Sequence, residues 1–225
     1  SAARSPLVAA APSDGVRVLL VDKPERSQSQ LFLGQPAIRR ADPDYLPLSV
    51  GVTAFGGTFT ARLMREVRVK RGLSYGASAR ISQGRGARAL SMAMAPSLPQ
   101  TVETLALVVE LWRDFVEGGV TDEEVAFSKE YMAGSFAFQI ATPEDRVDLR
   151  VAMEVCELPA DFVETLVPSI RAVTPAEVAA AMRRVFRPRD LAVTIVATAA
   201  ELLPAIERAR LVPADHITVV PYDSY

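Results

Sequence analysis

The chain has 225 residues, 49% of them hydrophobic and 23% charged, which is the balance of a soluble folded domain rather than of a disordered or fibrous one. A formal net charge of -2, from 25 Lys+Arg against 27 Asp+Glu, gives no general pull toward nucleic acid or anionic membrane. No stretch approaches the ~20 apolar residues of a membrane span, and a domain of this length buries roughly 70% of its unfolded surface, enough for one sizeable core.

The chain opens Ser1-Ala2-Ala3 with no initiator Met, as a processed or cut N-terminus does. Val16 to Val21 is a β-rich apolar run ended by Asp22-Lys23-Pro24, and Gln28 to Leu33 alternates polar and apolar, so two strands joined by a polar turn are expected. A helix should start near Asp42 or Asp44, whose carboxylates suit free N–H groups, and stop at Gly56-Gly57. Phe59, Leu63 and Val67 recur at i, i+4, i+8 and predict the buried face of a second helix, closed by Gly72. Around Gln83-Gly84-Arg85-Gly86 the period falls to two: Tyr75, Ala77, Ala79 and Ile81 precede it and Leu90, Met92 and Met94 follow, a hairpin with one buried face.

From Leu98 to Phe186 the period is helical. Three helix starts carry a Thr followed by an acid: Thr121 with Glu124, Thr142 with Glu144, and Thr174 with Glu177, the last with Pro175 at the first helical position. Leu191 to Ala197 returns to a strand, and a short helix near Glu201 to Arg210 and an extended tail from Ile217 to Val220 follow. Helices are segregated from strands, so the fold class is α+β: one β-sheet packed against a layer of helices, with residues 1–225 as a single domain.

The chemistry is bounded by what is missing. His216 is the only histidine and Cys156 the only cysteine, so the usual zinc ligand sets are excluded, as is an internal disulfide. His216 reads as a strand-edge residue and Cys156 as a small buried one. There is no Walker A or G-x-G-x-x-G loop and no G-x-S-x-G elbow. Glu123-Glu124 and Glu144-Asp145 sit where carboxylates favour a helix dipole, not where they would pair for acid/base work.

One stretch carries more: Phe55-Gly56-Gly57, the helix containing Arg62-Leu63 and Val67-Arg68, and Gly72-Leu73-Ser74-Tyr75. It resembles the glycine loop, Arg-Leu helix and Gly-Leu-x-Tyr strand entry of the pitrilysin/insulinase family of zinc peptidases, which includes mitochondrial processing peptidase. This sequence has Val67 where the family commonly shows Leu. The opening strand, the Gln-rich second strand and the Thr-Pro-Ala-Glu helix extend the likeness more loosely over most of the chain. On spacing alone, cations in a last helical turn and a core tyrosine would suffice as an explanation.

The resemblance implies a mitochondrial-processing-peptidase-like, C-terminal or non-catalytic domain. The inverted H-x-x-E-H helix of the catalytic type is absent, so no metal site is expected in this chain and zinc is expected on a homologous partner domain or subunit. Arg68 and Tyr75 match the pair that such domains send across to the substrate, assisting catalysis in trans. Gly56 and Gly57 would permit close approach of a peptide, which in this family adds as an edge strand. High Ala and Arg usage with few lysines suggests a GC-rich bacterial source, and the resemblance implies a periplasmic or otherwise exported setting, with a cytoplasmic one as the alternative. The rival function is that of a structural or assembly subunit without proteolysis.

Overall fold

The computed structural model describes residues 13–224, so the reading made on Ser1 to Ala3 lies outside the described residues. Six strands form one mixed sheet: β1 Val16–Asp22, β2 Gln30–Pro36, β3 Ser74–Ile81, β4 Ala89–Pro96, β5 Leu191–Ala197 and β6 Ile217–Pro221, in the order β3-β4-β2-β5-β1-β6. β1 runs parallel to β5 and β6, whereas β2–β4, β2–β5 and β3–β4 are antiparallel. The first two strands form as expected on either side of a polar turn, but they do not pair with each other, because β5 lies between them and pairs with both. Only the long return through the helices brings β5 there, which no local pattern announces.

The α+β expectation holds. The eight helices among the described residues are α1 Tyr45–Val52, α2 Arg62–Met64, α3 Thr101–Gly118, α4 Asp122–Phe136, α5 Pro143–Cys156, α6 Phe162–Ala172, α7 Pro175–Val185 and α8 Ala199–Ala209. The first two continue as wider π-type turns, Thr53–Gly57 and Arg65–Lys70. Strand alternation decides which sheet face they cover: Leu20, Ile195, Leu31, Met94 and Ala77 are cross-strand neighbours in one row, and all are buried. The opposite phase, Leu19, Thr194, Phe32, Ala93 and Ser78, is small or half-exposed. Above the buried face, Phe55 packs edge-on to Trp112 at 5.1 Å and tilted on Phe115 at 4.9 Å, and Trp112 meets Phe186 at 5.1 Å.

All three Thr starts are capping boxes, although the one at Thr142 closes on Asp145 and not Glu144. Asp42 and Asp44 do not cap α1; each takes an arginine instead, Asp42 with Arg39 and Asp44 with Arg184, both at 2.7 Å. Hydrogen bonding from Arg184 holds the Asp44 carboxyl below its ordinary range. In the π-type turn that follows α2, the carboxyl of Glu66 is likewise lowered, first by a hydrogen bond from Lys70, against partial burial, and then by Arg71.

The sign of the resulting pH dependence follows. A carboxylate whose folded value is depressed contributes stability that is present above the ordinary range, about pH 4, and lost as the pH falls through the folded value. Thermal denaturation from pH 7 downward should therefore hold steady to about pH 5 and then fall. Glu66→Gln should melt lower at neutral pH and approach the parent below about pH 4. Parallel curves for the two proteins would contradict this account of Glu66.

Candidate functional site

The helix that carries Arg68 is anchored by its first residue. Arg62 donates to both oxygens of Glu124, at 2.9 Å and 2.7 Å, and its guanidinium lies 4.6 Å from the Phe115 ring centre. Glu124 also closes the capping box of α4 by accepting from the Thr121 N–H, so one carboxylate fixes two helix starts. Leu63 and Val67 point into the core, as their spacing predicts. Phe59 does not: the helix begins only at Arg62, and Phe59 stands in the preceding loop with 67% of its surface exposed.

At the other end, Gly72 adopts φ +62, the left-handed conformation that ends a helix at little cost to glycine. Its N–H bonds the Arg68 carbonyl at 3.0 Å, and Leu73 N–H bonds that of Val67 at 2.9 Å. The chain then enters edge strand β3 through a register shift between Ser74 and Ala77. Ser74 Oγ spans this irregularity, donating to the Gly76 carbonyl at 2.7 Å and accepting from Ala95 N–H at 3.1 Å. Simple alternation would place Tyr75 on the buried face with Ala77 and Ala79; the bulge turns it out, and it is 83% exposed. A core role for Tyr75 is thereby excluded.

Arg68 and Tyr75 come together. The guanidinium carbon lies 4.3 Å from the Tyr75 ring centre and 4.8 Å from that of Phe59. The other cations of this segment are engaged with Glu66: Lys70 and Arg71 at 2.7 Å and Arg65 at 3.8 Å. Arg68 makes no such ion pair among the described residues, and its Nη1 has no hydrogen-bond partner there. Tyr75 lines an open groove of 570 Å³ together with Gln28, Gln30, Gln100, Phe32 and Ala93.

Gly56 and Gly57 lie elsewhere. They line a separate cavity of 590 Å³ between α1, α4, α6 and β3, together with Tyr45, Thr53, Met132 and Gln139. Gly56 is buried, and a Cβ on it would stand 2.7 Å from the Ala79 backbone nitrogen, so close packing of the first helix on β3 is enough to require glycine there. Gly57 is exposed, with only the Thr53 side chain near its missing Cβ, at 3.1 Å. The four residues singled out by sequence are thus split between two places. Phe59, the residue that sequence reasoning missed as part of the Arg68 cluster, is flanked by Thr58 and Thr60 after two glycines, a composition that favours a loop over the helix assumed.

The residues present do not fit a zinc ion. Among the described residues no group of three or more His, Cys, Asp or Glu side chains could hold a metal. His216 bonds the Val16 carbonyl through Nδ1 at 3.1 Å next to β6, and Cys156 is buried. No helix among the described residues is long and apolar enough to cross a membrane.

One mixed sheet covered on one face by segregated helices is the α+β class of domain inferred from sequence. The profile of the Peptidase M16 inactive domain matches residues 4–132, and the chain belongs to that family. It is 26% identical over 155 residues to a non-peptidase homologue of Helicobacter pylori and 29% identical over 170 residues to an uncharacterised zinc protease of Streptomyces coelicolor. These alignments take in 68% and 75% of this chain but 36% and 37% of the relatives, so the chain spans little more than a third of their length. Among solved structures, a peptidase M16 inactive domain from Pseudomonas fluorescens superposes with a TM-score of 0.78 at 28% identity, covering 86% of this chain and 46% of that one. A putative zinc protease from Bordetella pertussis superposes at 0.63 and 14% identity, covering 78% of this chain and 96% of that one.

Proposed function

We propose that this chain is the substrate-binding half of a zinc metallopeptidase and that Tyr75 and Arg68 act on a peptide held at a homologous domain bearing the zinc. The observation that carries this reading is Tyr75 itself: a phenol turned outward by a bulge, stacked on an arginine that is left out of the ion-pair cluster beside it. Peptide hydrolysis builds negative charge on the carbonyl oxygen, and a hydroxyl aimed at that oxygen stabilises the transition state more than the ground state. Arg68, permanently charged and forked, suits a peptide carbonyl or carboxylate oxygen. The Gln-lined groove at Tyr75 offers amide groups to an extended main chain.

An exported setting accords with a fold shared, at a TM-score of 0.66 and 16% identity, with a protein described as the periplasmic protease PqqL of Escherichia coli. The competing reading, a scaffold without proteolysis, draws on the relative named a non-peptidase homologue. Kinetics on the complex with its catalytic partner separate the two. Arg68→Ala should raise KM about tenfold with a smaller change in kcat, the mark of a group that holds ground and transition states alike. An unchanged KM would remove Arg68 from the substrate site.

A further inference from the structure

Resting on that reading, we infer that Phe59 is a positioning residue, the second wall of an aromatic clamp that holds the Arg68 guanidinium in place for a peptide oxygen. Arg68 makes no ion pair among the described residues, and its Nη1 is buried there without a hydrogen-bond partner, which leaves Nε and Nη2 as the donors for a peptide. What remains to fix its plane are two ring faces, Tyr75 at 4.3 Å and Phe59 at 4.8 Å, supplied by a strand bulge and by the loop that follows Gly56-Gly57. A guanidinium attracted to a ring face keeps the donors in its plane unspent, whereas one bound to a carboxylate gives them up. Arg71, three residues on from Arg68, illustrates the second case on Glu66.

Tyr75 alone is a poor clamp, since it is the more exposed of the two rings. A phenol that must also meet a peptide oxygen gains from having its neighbour held by a second ring. Phe59 explains its own exposure in the same way: a ring 67% open to water contributes little to the core, and its close contact is a cation.

The test uses two variants. Phe59→Leu keeps apolar bulk and removes the π face; Phe59→Trp restores a face. In the 225-residue chain, the Arg68 δ-methylene and Nε–H resonances should lie upfield through the ring currents of both walls. Phe59→Leu should move them toward free-arginine values, and Phe59→Trp should keep them upfield. Melting temperatures should stay within about 2 °C of the parent, because the site is on the surface. In the complex with the catalytic partner, Phe59→Leu should raise KM for a fluorogenic peptide about 2–5-fold, the value of an exposed cation–π contact, with kcat little changed. Phe59→Trp should recover the parent KM. Arg68 resonances that do not respond to Phe59→Leu overturn the inference. So does an unchanged KM in Phe59→Leu where Arg68→Ala raises it. If Arg68→Ala itself leaves KM unchanged while the Arg68 resonances shift in Phe59→Leu, the clamp stands and the substrate role of Arg68 is what fails.

Discussion

If Tyr75 acts as proposed, Tyr75→Phe should lower kcat of the complex with the catalytic partner by about 10²–10³, the usual cost of one lost oxyanion donor, and leave KM nearly unchanged. The substitution is narrow. It keeps the ring that stacks on Arg68 at 4.3 Å, so the clamp on the guanidinium survives, and it removes a hydroxyl that is not buried. No core contact is lost, so the melting temperature should not move, and an activity loss cannot be assigned to unfolding. Steady-state kinetics with a fluorogenic peptide and a thermal melt on the same preparation check both halves. Full kcat in Tyr75→Phe would show that the outward phenol serves something other than the chemical step.

Phe55→Ala has the opposite profile. Phe55 is fully buried at the contact of α1, α3 and β3, with Trp112 at 5.1 Å and Phe115 at 4.9 Å. Deleting a core phenyl ring costs about 3–5 kcal/mol through lost burial and the cavity left behind. For a chain of this size that is a melting temperature roughly 6–20 °C lower. The loss should reach the site, since Phe55 precedes Gly56-Gly57 and the loop that presents Phe59. Arg68 resonances should therefore broaden in Phe55→Ala, as they should not in Tyr75→Phe. Calorimetry showing a melt within about 2 °C of the parent would mean that the aromatic cluster does not hold this end of the fold.

How much of this was legible in the sequence depends on how local the cause is. The capping boxes at Thr121 and Thr174 and the closing glycine at Gly72 are set by neighbours within a few residues, and they read correctly. The buried rows of the sheet are set by alternation and read correctly in Ala77, Ala79, Leu90 and Met92. Tyr75 breaks that alternation because Ser74 bonds across a register shift to Ala95, a residue on the far strand of the hairpin. Phe59 fits a helical period by number and fails it because the helix starts three residues later, at Arg62, where Glu124 from a distant helix takes the guanidinium. Asp44 has the chemistry of a cap, but Arg184, 140 residues on, claims it. The insertion of β5 between β1 and β2 is of the same kind. In each case the competing partner lies far along the chain, beyond the reach of a short sequence window.

The placement of the pair was legible for another reason. The string from Gly56 to Tyr75 carries both ends of the helix, and Gly72 turns the chain so that Arg68 and Tyr75 come to the same end of it, while the bulge that turns the phenol out is set from the far strand.

The most direct test is a titration. A homologous domain carrying H-x-x-E-H, prepared without its non-catalytic half, is assayed on a fluorogenic peptide as this chain is added. The account predicts negligible hydrolysis by either component alone, activity that rises and saturates at one chain per catalytic domain, and a Tyr75→Phe chain that saturates at the same ratio with kcat lower by about 10²–10³. A catalytic domain that is fully active without this chain, or a Tyr75→Phe chain that restores activity as well as the parent, would contradict it.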